Sequence, residues 1–124
     1  MMRIRPAAID LLLVVVFAII GRASHGEPLT AAGIATTALP FLVACLFAWV
    51  VLTFLDDDGR GLRAAVVVWL VTVITGMGFR IALGDGAAPA FILVAASFLA
   101  LVLGGWRLGW WLIRRRRVHS AAAA

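Results

Sequence analysis

Between Glu27 and Asp56 the chain runs through 28 residues, Pro28 to Leu55, without a single charged side chain. Such a stretch, read as helix at 1.5 Å per residue, is about 40 Å long, more than a bilayer's ~30 Å hydrocarbon core. It has no soluble equivalent, because a water-facing helix of that length needs a polar face. Three further runs of the same character flank it, giving spans at about 6–21, 29–55, 62–83 and 89–113. Composition agrees: 65% of the 124 residues are apolar and 14% are charged, against about 25% charged in an average soluble domain. The chain is expected to be an all-α polytopic membrane protein, a single bundle of four transmembrane helices, with 118–124 as a flexible tail.

The breaks between spans are short and polar. Pro6 suits the first turn of the first helix, where its missing N–H is no loss. No A-x-A-like site precedes the polar break after Gly21, so no cleaved signal peptide is expected. Glu27-Pro28 reads as the start of the second helix and Pro40 as a kink in it, with Thr36 and Thr37 placed to satisfy the backbone that proline frees; a split at Pro40 into an interfacial helix and a short span is the alternative. Asp56-Asp57-Asp58-Gly59 lacks the ligand alternation of a calcium loop and reads as a solvated connection. Gly84-Asp85-Gly86 closes the second hairpin tightly. One cysteine, Cys45, and two distant histidines, His25 and His119, offer neither a disulfide framework nor a metal site, and no cofactor is expected.

All eleven basic residues are arginines. With both termini inside, Arg3, Arg5, Arg60, Arg63, Arg107 and Arg114 to Arg117 fall on the cytoplasmic side, and only Arg22 and Arg80 fall outside. Nine against two is a positive-inside bias, so both termini are expected in the cytoplasm of a cell-membrane protein. The run Arg114, Arg115, Arg116, Arg117 directly follows a span, which favours anionic lipid over nucleic acid as its partner.

The polar residues fall into two groups. Asp10 lies one turn into the first helix and Arg107 lies two turns before the basic run, at matched depth. They are expected to pair, directly or through one water, because an intramembrane charge needs a partner. At the other end are Arg22, Ser24, His25, Arg80 and Asp85, with Glu27 nearby. Trp69, Thr72, Gly76 and Arg80 share one helical face, which should turn Arg80 toward the bundle. Ala96, Ala100 and Arg107 share a face of the fourth span, and Gly105/Gly109 form a G-x-x-x-G pair. Arg22, His25 and Arg80 are expected to converge at the outer mouth on an acidic side chain, an anion or a lipid headgroup; arginines that merely snorkel to phosphates are the alternative. Ser24 beside His25 is a poor nucleophile–base pair, since adjacent residues seldom form one and only Glu27 or Asp85 could orient it, which disfavours catalysis. An arginine, a glycine-containing loop and a Pro-Phe or Pro-Ala-Phe element recur in the two halves, in the parallel sense.

These same residues resemble a known family. Asp10 in the first span, Gly21-Arg22-x-Ser24-His25-Gly26, Pro40-Phe41, Gly76-x-x-x-Arg80-x-x-x-Gly84 and Gly105-Trp106-Arg107 together look like a family of small four-span membrane proteins classed as a domain of unknown function. The resemblance implies the four-span fold and a set of signature residues, but no activity. That family tends toward Gly-x-Gly-Thr after the third span; here Gly84-Asp85-Gly86 is followed by Ala87, so no hydroxyl role carries over. Two functions are compatible with the residues: a small transporter or channel, oligomeric, handling an anion or amphiphile through Arg22 and Arg80, or a non-catalytic membrane subunit whose arginines serve packing and lipid contact.

Overall fold

A computed structural model describes residues 4–123; the Arg3 of the basic leader lies outside the described residues. Four helices follow one another: α1 (Ile4–Ser24), α2 (Ala31–Phe54), α3 (Leu62–Ala82) and α4 (Pro89–Ala123). Each is long and apolar enough to cross a membrane, and the described residues contain no strand. Sequence neighbours pack side by side, and α1 closes against α4 to complete the ring; that last seam is the thinnest. The chain ends and the α2–α3 loop share one face, here the termini face, while the α1–α2 and α3–α4 loops share the other, here the loop face.

Helix bounds differ from expectation where caps act. α1 has 21 residues, about 31 Å against about 24 Å for the expected 6–21, long enough to cross a ~30 Å hydrocarbon core. α2 begins at Ala31, not near Leu29, because the Thr30 hydroxyl accepts the Gly33 N–H at 3.0 Å and fixes the helix start there. Pro40 sits inside one unbroken α2. The two hydroxyls expected to serve its freed carbonyl are engaged elsewhere: Thr36 donates to the Ala32 carbonyl and Thr37 accepts from Arg22. α4 continues to Ala123 where a flexible tail was expected. Alanine is the best helix former, and extending an existing helix avoids the cost of nucleation. With 35 residues, or about 52 Å, α4 projects well beyond the hydrocarbon.

Periodicity sets the core. Pro6, Asp10, Val14, Phe17 and Ala18 form the buried stripe of α1, at steps of three and four. On α2 the stripe is Ala38, Phe41, Cys45, Trp49 and Leu52. Phe17 and Phe41 meet edge to face, 5.3 Å between centroids; Phe91 packs on both rings and Phe98 on that of Phe17. This aromatic cluster fills the loop-face half of the bundle. Thr72 and Gly76 are buried on α3, and Gly76 lets the Phe41 ring approach so closely that a Cβ there would overlap it. On α4 the buried face is Ala95, Leu99, Leu103 and Arg107; Ala100 is exposed. The helix is therefore rotated from the Ala96/Ala100/Arg107 face, because the large leucines, not the small residues, fill the space left by Phe17 and Phe41. A Cβ on Gly105 or Gly109 would meet nothing within 4 Å, so no helix of this chain packs against that pair.

Candidate functional site

The polar centre of the protein is Asp10. Its side chain is fully buried, and that of Arg107 is 3% exposed. Arg107 Nη2 donates to Asp10 Oδ2 at 2.7 Å and Nη1 to Oδ1 at 2.9 Å, a two-pronged pair. Two indoles complete the carboxylate: Trp49 Nε1 donates to Oδ2 at 3.0 Å and Trp106 Nε1 to Oδ1 at 2.8 Å. Four donors thus occupy the four acceptor positions of a carboxylate. Two of the three remaining guanidinium hydrogens are used as well, Nε donating to the Gly59 carbonyl and Nη1 to that of Leu103. A charge pair in a dry interior is tolerable only when its spare donors and acceptors are satisfied in this way.

The node joins α1, α2, the α2–α3 loop and α4. The loop is built rather than merely solvated. Asp57 Oδ1 accepts the Gly59 N–H and Asp58 Oδ1 accepts the Arg60 N–H, the short side-chain turns aspartate favours. Arg63 reaches back to Asp57 and to the Leu55 carbonyl. This folds Gly59 down onto the pair, buried, at φ +85°, with the Trp49 ring where its Cβ would be.

The loop face has a different order. Arg22 and Arg80 share no partner among the described residues. Arg22 Nε donates to the Pro28 carbonyl, Nη1 donates to the Thr37 hydroxyl, and Glu27 pairs with it at 3.0 Å. Arg80 Nε donates to the Gly86 carbonyl and Nη2 to the Asp85 carbonyl, while its guanidinium lies 4.0 Å from the Phe91 ring centroid. Asp85 therefore contributes its backbone, not its carboxylate. Ser24 and His25 are exposed and make no hydrogen bond to each other among the described residues. The expected convergence of Arg22, His25 and Arg80 on one acid or anion is thus not what the structure brings together. Each guanidinium instead ties down its own hairpin, because the loop carbonyls five and six residues ahead supply acceptors within its reach.

The two halves do this in the same register. In both, the arginine carbonyl accepts from the N–H five residues on, the residue four on is a glycine with positive φ (Gly26 +67°, Gly84 +84°), and Nε donates to the carbonyl six on. This is a Schellman-type helix end braced by a side chain. Its sequence signal, Arg-x-x-x-Gly followed by an acid, stands at Arg22–Glu27 and Arg80–Asp85 and was legible without a structure. Trp49 and Trp106 were missed; their shared depth with Asp10 and the adjacency of Trp106 to Arg107 were the available hints.

Between the two braced hairpins, α1 and α4 leave a cleft of about 280 Å³. Phe17, Ala18, Gly21, Phe91 and Ala95 line it, with His25 and Thr37 as its polar members. Arg22 supports one wall through Thr37, and Arg80 supports the other through Phe91.

No characterised protein and no solved structure matches the chain. One family does, over residues 7–110, which takes in the node, both braced hairpins and the cleft. The chain belongs to the protein family of unknown function DUF3054.

Proposed function

We propose that the protein binds an amphiphile laterally, with its hydrocarbon part in the α1–α4 cleft and an anionic head beside His25, Thr37 and Arg22. The observation that carries this reading is the cleft itself: it lies at the thinnest seam of the ring and its lining is apolar except for His25 and Thr37, the latter hydrogen-bonded by Arg22. An apolar site with a few convergent polar groups is the usual form of a small-molecule site. The bundle interior is occupied by the phenylalanine cluster toward one face and by the Asp10 node toward the other, which favours binding at the side over conduction through the middle. The non-catalytic subunit reading has one observation in its favour, that Arg22 and Arg80 already spend their donors on loop carbonyls.

Gly21 provides the test, since a Cβ there meets nothing within 4 Å and Gly21→Leu projects into the cleft without an internal clash. Dodecyl phosphate is expected to raise the melting temperature of the protein in non-ionic detergent, and Gly21→Leu to abolish the rise. An equal rise in both proteins would remove the cleft from consideration. We also propose that the termini face is cytoplasmic at the cell membrane, on the nine-to-two arginine count. A reporter fused after Arg117 should be inaccessible from outside intact cells, and labelling from outside would reverse the orientation.

A further inference from the structure

On the termini face, away from the cleft, three adjoining depressions that share wall residues form a groove, two of them between α3 and α4 and the outermost on α4 alone. The middle one measures about 520 Å³ and is bounded by Leu62, Ala65 and Gly104 along the bundle and by Trp110 and Trp111 above. Toward the membrane interior the groove continues past Trp69 and Ala100, with no charged side chain in its wall. Toward the chain end it opens between Arg114, Arg115 and His119. Ala100 and Arg114 are fourteen positions apart on α4, about 21 Å of helix, somewhat more than one leaflet's half of a ~30 Å core. The groove therefore runs from mid-membrane depth to the headgroup level.

Its charge is of one sign. Arg60 and Arg114 both stand over the Trp110 ring, 6.0 and 5.3 Å from its centroid, and Arg115 stands 5.3 Å from that of Trp111. The indoles thus hold two guanidiniums, those of Arg114 and Arg115, at the mouth instead of letting them spread into water, while Arg60 lines the middle depression. Consecutive arginines on a helix point about 100° apart, so Arg114 to Arg117 encircle α4 and only part of the run can serve any one ligand. The two folded back on the indoles are those at the groove. No acidic side chain lines any of the three depressions among the described residues.

We infer that this groove is a binding site for one anionic glycerophospholipid, with its phosphate held by Arg114 and Arg115 and one acyl chain lying over Gly104 between Leu62 and Ala100. The floor residues are small, which leaves width for a chain, and the arginines supply complementary charge where the headgroup would sit. A second copy of this chain in the same groove would bring an identical basic stretch alongside, against like charge. The inference concerns a different face from the amphiphile cleft and stands independently of it.

Gly104 makes the site testable, because a Cβ there meets nothing within 4 Å. The full-length protein is reconstituted in phosphatidylcholine, and its tryptophan fluorescence is quenched by low, equal mole fractions of acyl-brominated phosphatidylglycerol or acyl-brominated phosphatidylcholine. Phosphatidylglycerol is expected to be the better quencher by about fivefold or more, the scale of one or two arginines acting on an anionic head. Gly104→Phe should remove the groove-dependent quenching. The double change Arg114→Gln and Arg115→Gln, which leaves the groove open, should remove the preference for phosphatidylglycerol. Equal quenching by the two lipids in the unaltered protein would overturn the site. So would a preference that survives Gly104→Phe while the arginine variant loses it, since that pattern is surface attraction without a groove.

Discussion

Replacing Asp10 with leucine should cost the folded protein about 3–5 kcal/mol, among the largest effects of any single substitution in the chain. The change leaves the Arg107 guanidinium buried without its counter-ion and takes the acceptor from two indole N–H groups at once. Arg107→Met should cost a similar amount, stranding a carboxylate in place of a cation. The double variant is the informative one. Elsewhere, swapping a whole buried ion pair for apolar residues is often neutral, because both desolvation penalties vanish together. Here recovery should be partial, since the Trp49 and Trp106 N–H groups and the Gly59 carbonyl stay behind without partners, and each such group costs about 1–3 kcal/mol. Equilibrium unfolding of the four proteins in mixed micelles measures this. Strictly additive losses would show that Asp10 and Arg107 are not energetically coupled.

The spans were readable because lipid makes a strong demand: every backbone group must be satisfied within the helix, so long apolar runs have one outcome. The Asp10–Arg107 contact was readable for a related reason. Two charges at one depth, on the first and last helices, have few other ways to avoid hydrocarbon. Trp49 and Trp106 were harder to assign, because tryptophan near a membrane face is ordinarily an interfacial anchor. Nothing in its spacing distinguishes an indole aimed at lipid from one aimed at a carboxylate.

The loop-face arginines show the opposite difficulty. Topology puts Arg22 and Arg80 on one side, and like charges there suggested a shared anion. The local backbone decided otherwise. A helix ending in a left-handed glycine turns the next carbonyls back toward the preceding turn, within reach of an arginine on that turn. That short-range geometry operates in both hairpins regardless of what the opposite hairpin does. The rotation of α4 was likewise hidden, since small residues at a helix face suit either a close neighbour or an open groove, and only the partner's side chains distinguish the two. In the structure Gly104 and Ala100 border the groove, while Leu99 and Leu103 take the core.

The second large effect is expected at Gly59, where another glycine serves as the internal control. Gly59 and Gly84 have nearly the same backbone conformation, φ +85° and +84°. An alanine at either position carries the left-handed penalty of an L-residue, roughly 1–2 kcal/mol. Around Gly84 a Cβ meets nothing within 4 Å, so Gly84→Ala should cost that and little more. At Gly59 the Cβ would overlap the Trp49 ring. The ring is packed in the core, and its Nε1 is fixed on Asp10. If the ring yields, Asp10 loses a donor; if the loop yields, Arg107 Nε loses the Gly59 carbonyl. Either displacement exposes a polar group of the node at a further ~1–3 kcal/mol. Gly59→Ala should therefore destabilise the protein by about 2 kcal/mol more than Gly84→Ala, the backbone contribution cancelling in the comparison. In the Asp10→Leu background the excess should shrink, because the Trp49 N–H no longer has a bond to lose. Equal losses for the two alanines, measured by unfolding in the same micelles, would mean that the α2–α3 loop does not bear on the node.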